Sequence, residues 1–400
     1  MFGFSKNKID TDPKKIEDIL SRNTEDVFIY ESLKNKLLSG KKLRVKLGFD
    51  PTGDKIHIGR ASILRKLKSF QDLGHQIIFI VGDFTAQIGD PSDKLEKRPF
   101  LSKEDILKNL KDYKQQVGKI IDVSKAEFLF NSKWLSKLNL EETAKLAESF
   151  SVGQMLSRRN FKERFENGTE ISLREFLYPL MQGYDSVAVS ADIEIGGFDQ
   201  LFNLKAGRVI QKYYGKSEQD IMTIKMLEGT DGRKMSTSWG NVINIVDDPY
   251  DMYGKVMSIK DSLIYNYFLS CTELSIEEIE IITKELEEKE NYKEVKSKLA
   301  KEIVSLYHGK DLAEKAYKNF EDTFSKGGVP EDILKINIAE DTPLVDVLLD
   351  QKIIESKTEW RRLVSDGAVS KDSIRLEDHN TKSLNGVYKI GKRRFVKIIN

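Results

Sequence analysis

The alternation of apolar and polar positions is clearest between Leu43 and Pro91, LRVKLGFDPTGDKIHIGRASILRKLKSFQDLGHQIIFIVGDFTAQIGDP. Residues 43–49 alternate and are rich in β-formers, which predicts a strand. Asp50-Pro51-Thr52-Gly53-Asp54 is a turn cluster. Ile58, Ile63, Leu64, Leu67 and Phe70 then recur at helical spacing, and Gly74 stands where a glycine commonly closes a helix. Gln76–Val81 is short and almost wholly apolar, as in a strand buried on both faces. A strand–helix–strand unit implies a parallel sheet with a right-handed crossover, and so an α/β fold.

The rest of the chain reads more coarsely. Residues 1–40 look helical and charged, with Thr11-Asp12-Pro13 as a helix start. Residues 101–150 read as helices, opened by Ser102-Lys103-Glu104-Asp105 and Leu140-Glu141-Glu142-Thr143. Ile193–Asn203 is a strand running through Gly196-Gly197 into a helix. Residues 247–330 are helical and charged, and Gly327-Gly328-Val329-Pro330 reads as a linker. From Pro343 the pattern is helix, Ser356-Lys357, a helix carrying Arg361 and Arg362, then Asp366-Gly367 into a strand.

Composition narrows the picture. A chain of 400 residues suggests two to three domains. A formal net charge of +1 gives no global polycation, so any RNA contact needs local basic patches. From Thr342 onward 12 basic residues face 8 acidic ones, a modest excess suited to RNA backbone or to an ordinary basic surface. Cys271 is the single cysteine, which excludes an internal disulfide and a cysteine-cluster zinc site. No apolar run approaches membrane-spanning length, and the N-terminus has no signal-peptide core. A cytoplasmic protein is expected.

Candidate chemistry gathers at a few places. His57-Ile58-Gly59 opens a helix, where backbone N–H groups and the helix dipole favour an anion. Far downstream, GTDGRKMSTSWGN (Gly229–Asn241) is a glycine-punctuated loop with adjacent cations and several hydroxyls. It fits no G-x-x-x-x-G-K-[ST] register, but a mobile loop could bring Lys234 onto a polyphosphate. Each stretch alone is also compatible with an ordinary turn or a solvated loop. Tyr178, Gln182 and Asp185 share one helix face. Asp90 precedes a proline and could be a turn residue. The runs SDKLEKR, with Lys94 and Arg98, and SRRNFKER, with Arg158 and Arg159 beside Phe161, are basic patches or solvated faces.

Taken together, HIG at 57–59 and KMSTS at 234–238 resemble the two signatures of class I aminoacyl-tRNA synthetases. LGFDPTGDKIHIG, VGDFTAQIGDPSDK, YPLMQGYDS and IGGFDQLFN, in that order, resemble the tyrosyl-tRNA synthetases of the bacterial type. The resemblance implies a Rossmann-like parallel-sheet catalytic domain over 1–228, with a helical connective and dimer-forming insertion at about 101–190. It implies the signature loop with a helical anticodon-side domain over 229–330, and a small α+β S4-like RNA-binding domain over 338–400. ATP would lie against Gly48, Asp50, Thr52, His57, Gly59, Gly197, Asp199, Lys234, Ser236 and Ser238. Tyrosine would be held by Asp90, Tyr178, Gln182, Asp185 and Gln200, with Lys46 assisting at the phenol. His57, Arg60, Lys234 and Thr237 would stabilise charge on the phosphates. Arg158, Arg159, Lys357, Arg361 and Arg362 would meet RNA. The expected partners are tRNA(Tyr), L-tyrosine, ATP with Mg²⁺ and a second copy of the chain, without zinc or membrane.

Four positions depart from the family pattern. Arg60 replaces the last histidine of the first signature, and Thr237 replaces the second lysine of the loop. Phe198 stands where a small residue is common. Lys46 stands where many tyrosyl enzymes have a tyrosine. Two other readings remain open: an RNA-binding paralogue with an impaired site, and a different nucleotidyltransferase or tryptophanyl-type synthetase on the same fold.

Overall fold

The computed structural model describes residues 9–51, 53–90, 102–110, 112–289, 291–322, 333–338, 342–372, 374–391 and 394–399. Thr52, the 92–98 run with Lys94 and Arg98, and the linker at 327–330 lie outside them, as do the side chains of Arg159 and Ser238. The chain divides into two compact units, Met1–Val246 with Ile259–Val295, and Asp247–Ser258 with Lys296–Asn400.

The first unit is built on a six-stranded sheet: β1 (Thr24–Phe28), β2 (Arg44–Phe49), β3 (Gln76–Val81), β4 (Ala126–Phe130), β5 (Ile193–Gly197) and β6 (Asp220–Ile224). The order is β1-β6-β5-β2-β3-β4, parallel except for the antiparallel edge pair β1/β6. β2, β3 and β5 are the strands that the apolar runs predict. β1 and β4 fall in stretches that read as helical. Both are short and only partly buried, at the two edges of the sheet, so neither carries a strong period-two signature.

The crossover helix runs from Ile58 to Asp72, and Gly74 follows it with φ +95°, a backbone region open to glycine. The helix lies on β2, β3 and β5, while helix Leu201–Tyr213 lies on β5 and β6. Phe70 and Phe79 are fully buried, each contributing about 1.5–3 kcal/mol by transfer from water. Helix Leu173–Ala188 starts with a capping box between Ser172 and Glu175 and packs along Leu201–Tyr213. Parallel strands all point their C-terminal ends to one edge. Asp50, Gly82 and Gly197 reach that edge together, the usual ligand side of such a sheet.

In the second unit, helices Pro249–Met257 and Lys310–Phe320 pack together, with the Tyr253 and Phe320 rings 5.3 Å apart. Its C-terminal part is a five-stranded sheet of β7 (Leu334–Asn337), β8 (Val369–Lys371), β9 (Ile374–Arg375), β10 (Gly386–Ile390) and β11 (Arg394–Ile399), ordered β7-β11-β10-β8-β9. Helices Leu344–Asp350 and Lys357–Ser365 share its core, where Leu344, Leu348, Trp360, Val369, Tyr388 and Ile390 are buried. Arg361 and Arg362 are exposed, and Lys357 pairs with Asp346 at 2.8 Å. Among the described residues no helix is long and apolar enough to cross a membrane.

Candidate active site

Backbone pairing brings the two signature stretches together. The Ile58 amide donates to the Ile243 carbonyl at 2.8 Å, and the Ile245 amide to the Ile56 carbonyl at 2.9 Å. Residues 56–58 and 243–245 thus form a short antiparallel seam, which fixes the foot of the Gly229–Asn241 loop beside the helix that His57 opens. At Gly59 a side chain would press on the His57 ring at 3.1 Å and touch the Met235 sulfur at 3.5 Å, so any larger residue would push the His57 ring aside by a few tenths of an ångström.

The loop is held from inside. Asn241 Oδ1 accepts from the Ser236 amide at 2.8 Å, and its Nδ2 donates to Asp231 at 2.8 Å and to the Lys234 carbonyl at 3.1 Å. Gly232 has φ +80°, which the tight turn before Arg233 needs. Tyr267 Oη donates to the Glu228 carbonyl at 2.6 Å and fastens the entry to the loop.

A cavity of about 380 Å³ lies at the sheet edge between these stretches. Gly48, Asp50, His57, Gly59, Arg60, Gly197, Asp199, Lys234, Ser236 and Thr237 line it, and so do Asp90, Tyr178, Gln182, Asp185 and Gln200. Almost all residues predicted for ATP and the amino acid therefore face one space. Lys234 Nζ sits 2.8 Å from Asp199 Oδ2, so the loop cation rests on a carboxylate that can accept from ribose hydroxyls. Arg60 stacks its guanidinium 4.5 Å above the Phe49 ring. Arg233, in contrast, pairs with Asp231 at 2.6 Å and stacks on Trp239 at 4.9 Å, and is absent from the lining.

His57 is buried, and burial together with Arg60 and Lys234 pushes its pKa down to about 3. It is neutral near pH 7. Its Nδ1 accepts from the Arg60 amide at 3.3 Å, so Nε2 carries the proton and is the donor that the ring can offer.

The amino-acid side is a chain of hydrogen bonds. Tyr178 Oη and Thr85 Oγ1 donate to the two oxygens of Asp50, at 2.9 and 2.7 Å. Asn131 Nδ2 reaches Thr85 Oγ1 at 3.0 Å and Asp185 Oδ2 at 3.3 Å, and Trp134 Nε1 donates to Asp185 Oδ1 at 2.7 Å. Burial pushes Asp185 up to about 7, opposed by Lys46, Trp134 and Asn131. Asp90 accepts from Gln200 Nε2 at 2.7 Å and Asn203 Nδ2 at 3.4 Å. Among the described residues no three His, Cys, Asp or Glu side chains gather so as to hold a metal ion.

Two predicted residues are elsewhere. Lys46, expected at the phenol, does not line the cavity. It is wholly buried and paired with Glu194 at 2.9 Å, because β2 and β5 put the two side by side. Arg158, expected to meet RNA, is 6% exposed and held between the Phe161 and Phe202 rings at 5.1 and 4.7 Å. A guanidinium so enclosed is not available to a partner at the surface.

A family of class I tRNA synthetases, those for tryptophan and tyrosine, matches residues 38–325. The chain belongs to that family. It is 44% identical to the tyrosine–tRNA ligase of Thermotoga maritima over 96% of this chain and 98% of the other. With the tyrosine–tRNA ligase of Desulfotalea psychrophila identity is 45%, over 96% and 95%. The fold is similar to a C-terminally truncated mitochondrial tyrosyl-tRNA synthetase of Aspergillus nidulans, with a TM-score of 0.64 at 23% identity over 78% of this chain and 94% of that one.

Six residues that the sequence did not single out hydrogen-bond to the site: Thr85, Asn203 and Asn241 lie inside the quoted motifs, whereas Asn131, Trp134 and Glu194 lie outside them. Glu194 had a signal, a lone carboxylate inside the apolar strand IEIGG. Asn131 and Trp134 follow β4, a strand the sequence does not mark, and had none.

Proposed function

We propose that the chain is a tyrosine–tRNA ligase, attaching L-tyrosine to tRNA(Tyr) through tyrosyl-adenylate. The observation that carries this reading is Asp185, a buried carboxylate on the cavity wall beside Tyr178 and Gln182. Ionised, it accepts from a phenol hydroxyl, a donor that the plain phenyl ring of phenylalanine lacks. A site built to bond a hydroxyl rejects the analogue lacking it by about 10⁴–10⁵-fold.

In the first step a tyrosine carboxylate oxygen attacks the α-phosphorus of ATP. The bond to the bridging oxygen breaks, and pyrophosphate leaves with its electron pair. In the second, the 3′-terminal ribose hydroxyl of tRNA attacks the tyrosyl carbonyl and AMP leaves. Neither step needs a protein nucleophile, so the residues position groups and stabilise charge. Asp90, Tyr178, Gln182 and Gln200 would orient the amino acid. Gly48, Asp50, Thr52, Gly59, Gly197 and Asp199 would seat the nucleoside and leave room for its phosphates. His57 Nε2–H, Arg60, Lys234, Thr237, Ser236 and Ser238 would meet charge on the phosphates. That donor set suits phosphate rather than a bare divalent cation, so Mg²⁺ would ride on the phosphate oxygens of ATP, neutralising part of their charge. Arg361 and Arg362, exposed on one helix, suit RNA backbone, with Lys357 near them. We further infer a cytoplasmic homodimer that binds tRNA across both copies.

The test is amino-acid-dependent ATP–pyrophosphate exchange. Exchange is expected with tyrosine and at background with phenylalanine and tryptophan. Exchange driven by tryptophan instead would overturn the specificity, and none with any amino acid would overturn the activity.

A further inference from the structure

Lys46 and Glu194 meet in the middle of the sheet. They are register partners on β2 and β5, Nζ lies 2.9 Å from Oε1, and neither is exposed. The pair has no slack. Lys46 Nζ also donates to Ser186 Oγ at 2.8 Å and to the Gln182 carbonyl at 2.9 Å, so its three protons have three acceptors. Glu194 Oε1 accepts in addition from Gln182 Nε2 at 3.2 Å, and its Oε2 accepts from Ser186 Oγ at 3.1 Å and Gln219 Nε2 at 2.5 Å.

Gln182 is therefore gripped at both its backbone and its side chain. A primary amide can turn either end toward a partner. An ionised carboxylate accepts only, so it selects the NH₂ end and leaves the oxygen as the end available to the cavity that Gln182 lines. Lys46 supplies the opposite charge that a carboxylate so far from water needs, and a neutral amide in place of Glu194 would offer donors as well as an acceptor and tolerate the Gln182 amide either way round.

We propose that the buried Lys46–Glu194 pair is a positioning unit for amino-acid selection. It locks the Gln182 amide with its oxygen toward the cavity, where that oxygen joins the Asp90 carboxylate as an acceptor for the substrate ammonium group. The inference rests on the ligase reading above and extends it to two residues that never touch substrate. It also explains why a cation sits behind a site that must bind a cation: its charge is cancelled by Glu194, and the pair acts through an amide dipole.

The test uses the full chain with Lys46→Met/Glu194→Gln, which keeps side-chain volume and removes both charges together. KM and kcat for tyrosine are measured by pyrophosphate exchange. The inhibition constant of 3-(4-hydroxyphenyl)propionate, which has the phenol and carboxylate of tyrosine but no ammonium group, is measured beside them. We expect KM for tyrosine to rise about tenfold or more with kcat within about threefold, and the inhibitor to bind as before. Parallel weakening of both ligands would show a merely structural role and overturn the proposal, as would no change in either. Circular dichroism reports folding. If the double variant does not fold, Lys46→Met/Glu194→Met, which also removes both charges together, gives the same comparison. Wild-type exchange is the control: its absence sinks the ligase reading, whereas normal wild-type exchange with an unselective shift in the variant sinks this inference alone.

Discussion

Asp185 concentrates the chemistry of the site in one residue. Burial pushes its pKa up to about 7 from 3.8, while Lys46, Trp134 and Asn131 pull the other way. The ionised form accepts from a phenol, so kcat/KM for tyrosine is expected to fall about tenfold per pH unit below 7. Asp185→Asn should flatten that limb and admit phenylalanine; an unchanged pH profile in the variant would remove Asp185 from phenol recognition. Stability follows the opposite sign. Between 3.8 and about 7 the folded protein holds a proton that the unfolded chain has released, so stability falls as pH rises through that window. Asp185→Asn cannot ionise, and calorimetry should find it melting above wild type at about pH 8 and level with it at about pH 4. Helical register placed Tyr178, Gln182 and Asp185 on one face, and it was the resemblance of YPLMQGYDS to the family that turned that face toward the site they line. The two misplaced cations were not readable for a common reason. Glu194, which pairs with Lys46, and Phe202, which closes the second face of Arg158, are distant in sequence, and a cation reads the same in sequence whether it meets solvent, ligand, a buried acid or a second ring.

At the scale of elements, the strand–helix–strand unit was legible to within a residue or so, because the periods of strand and helix contrast sharply there and Gly74 marks the helix end. What sequence could not show is the seam between residues 56–58 and 243–245, which is a backbone pairing without a side-chain signature. That seam bears on the two signature departures. Thr237 offers a hydroxyl where a second loop cation is usual, and Arg233 is drawn back onto Asp231 and Trp239. Arg60 lines the cavity from the fixed side, stacked on Phe49, and is the cation in position to take over. Arg60→His is expected to lower kcat for exchange about 10²-fold, the usual loss of one charge-stabilising donor, and Thr237→Lys in that background to restore much of it. Thr237→Lys in wild type should gain little. Strictly additive effects in the double variant would break the link. The loop's internal clamp gives a separate expectation. Asn241→Ala removes the bonds to Asp231 and to the Ser236 and Lys234 backbone, and should raise KM for ATP while leaving that for tyrosine in place.

For the whole molecule, the chain divides into two units, and the cavity lies within one of them. Every residue lining the cavity belongs to the unit built on the parallel sheet, so adenylate formation depends on that unit's own side chains. Trp360, buried at 1% exposure with Nε1 donating to the His379 carbonyl at 2.7 Å, belongs to a core whose described residues fall between 336 and 398. Arg361 and Arg362, next to it on the same helix, point their charge to solvent. Reversing both, Arg361→Glu/Arg362→Glu, changes surface charge without touching that core or the cavity. Exchange should therefore proceed at the wild-type rate. Aminoacylation should show a raised KM for tRNA, and the slope of log affinity against log salt should become shallower by about 0.7–0.9 for each phosphate that is no longer neutralised. A loss of exchange would mean that the C-terminal part governs the sheet unit; unchanged tRNA affinity and salt slope would mean that RNA is gripped elsewhere, and that the basic excess after Thr342 is no more than a solvated face.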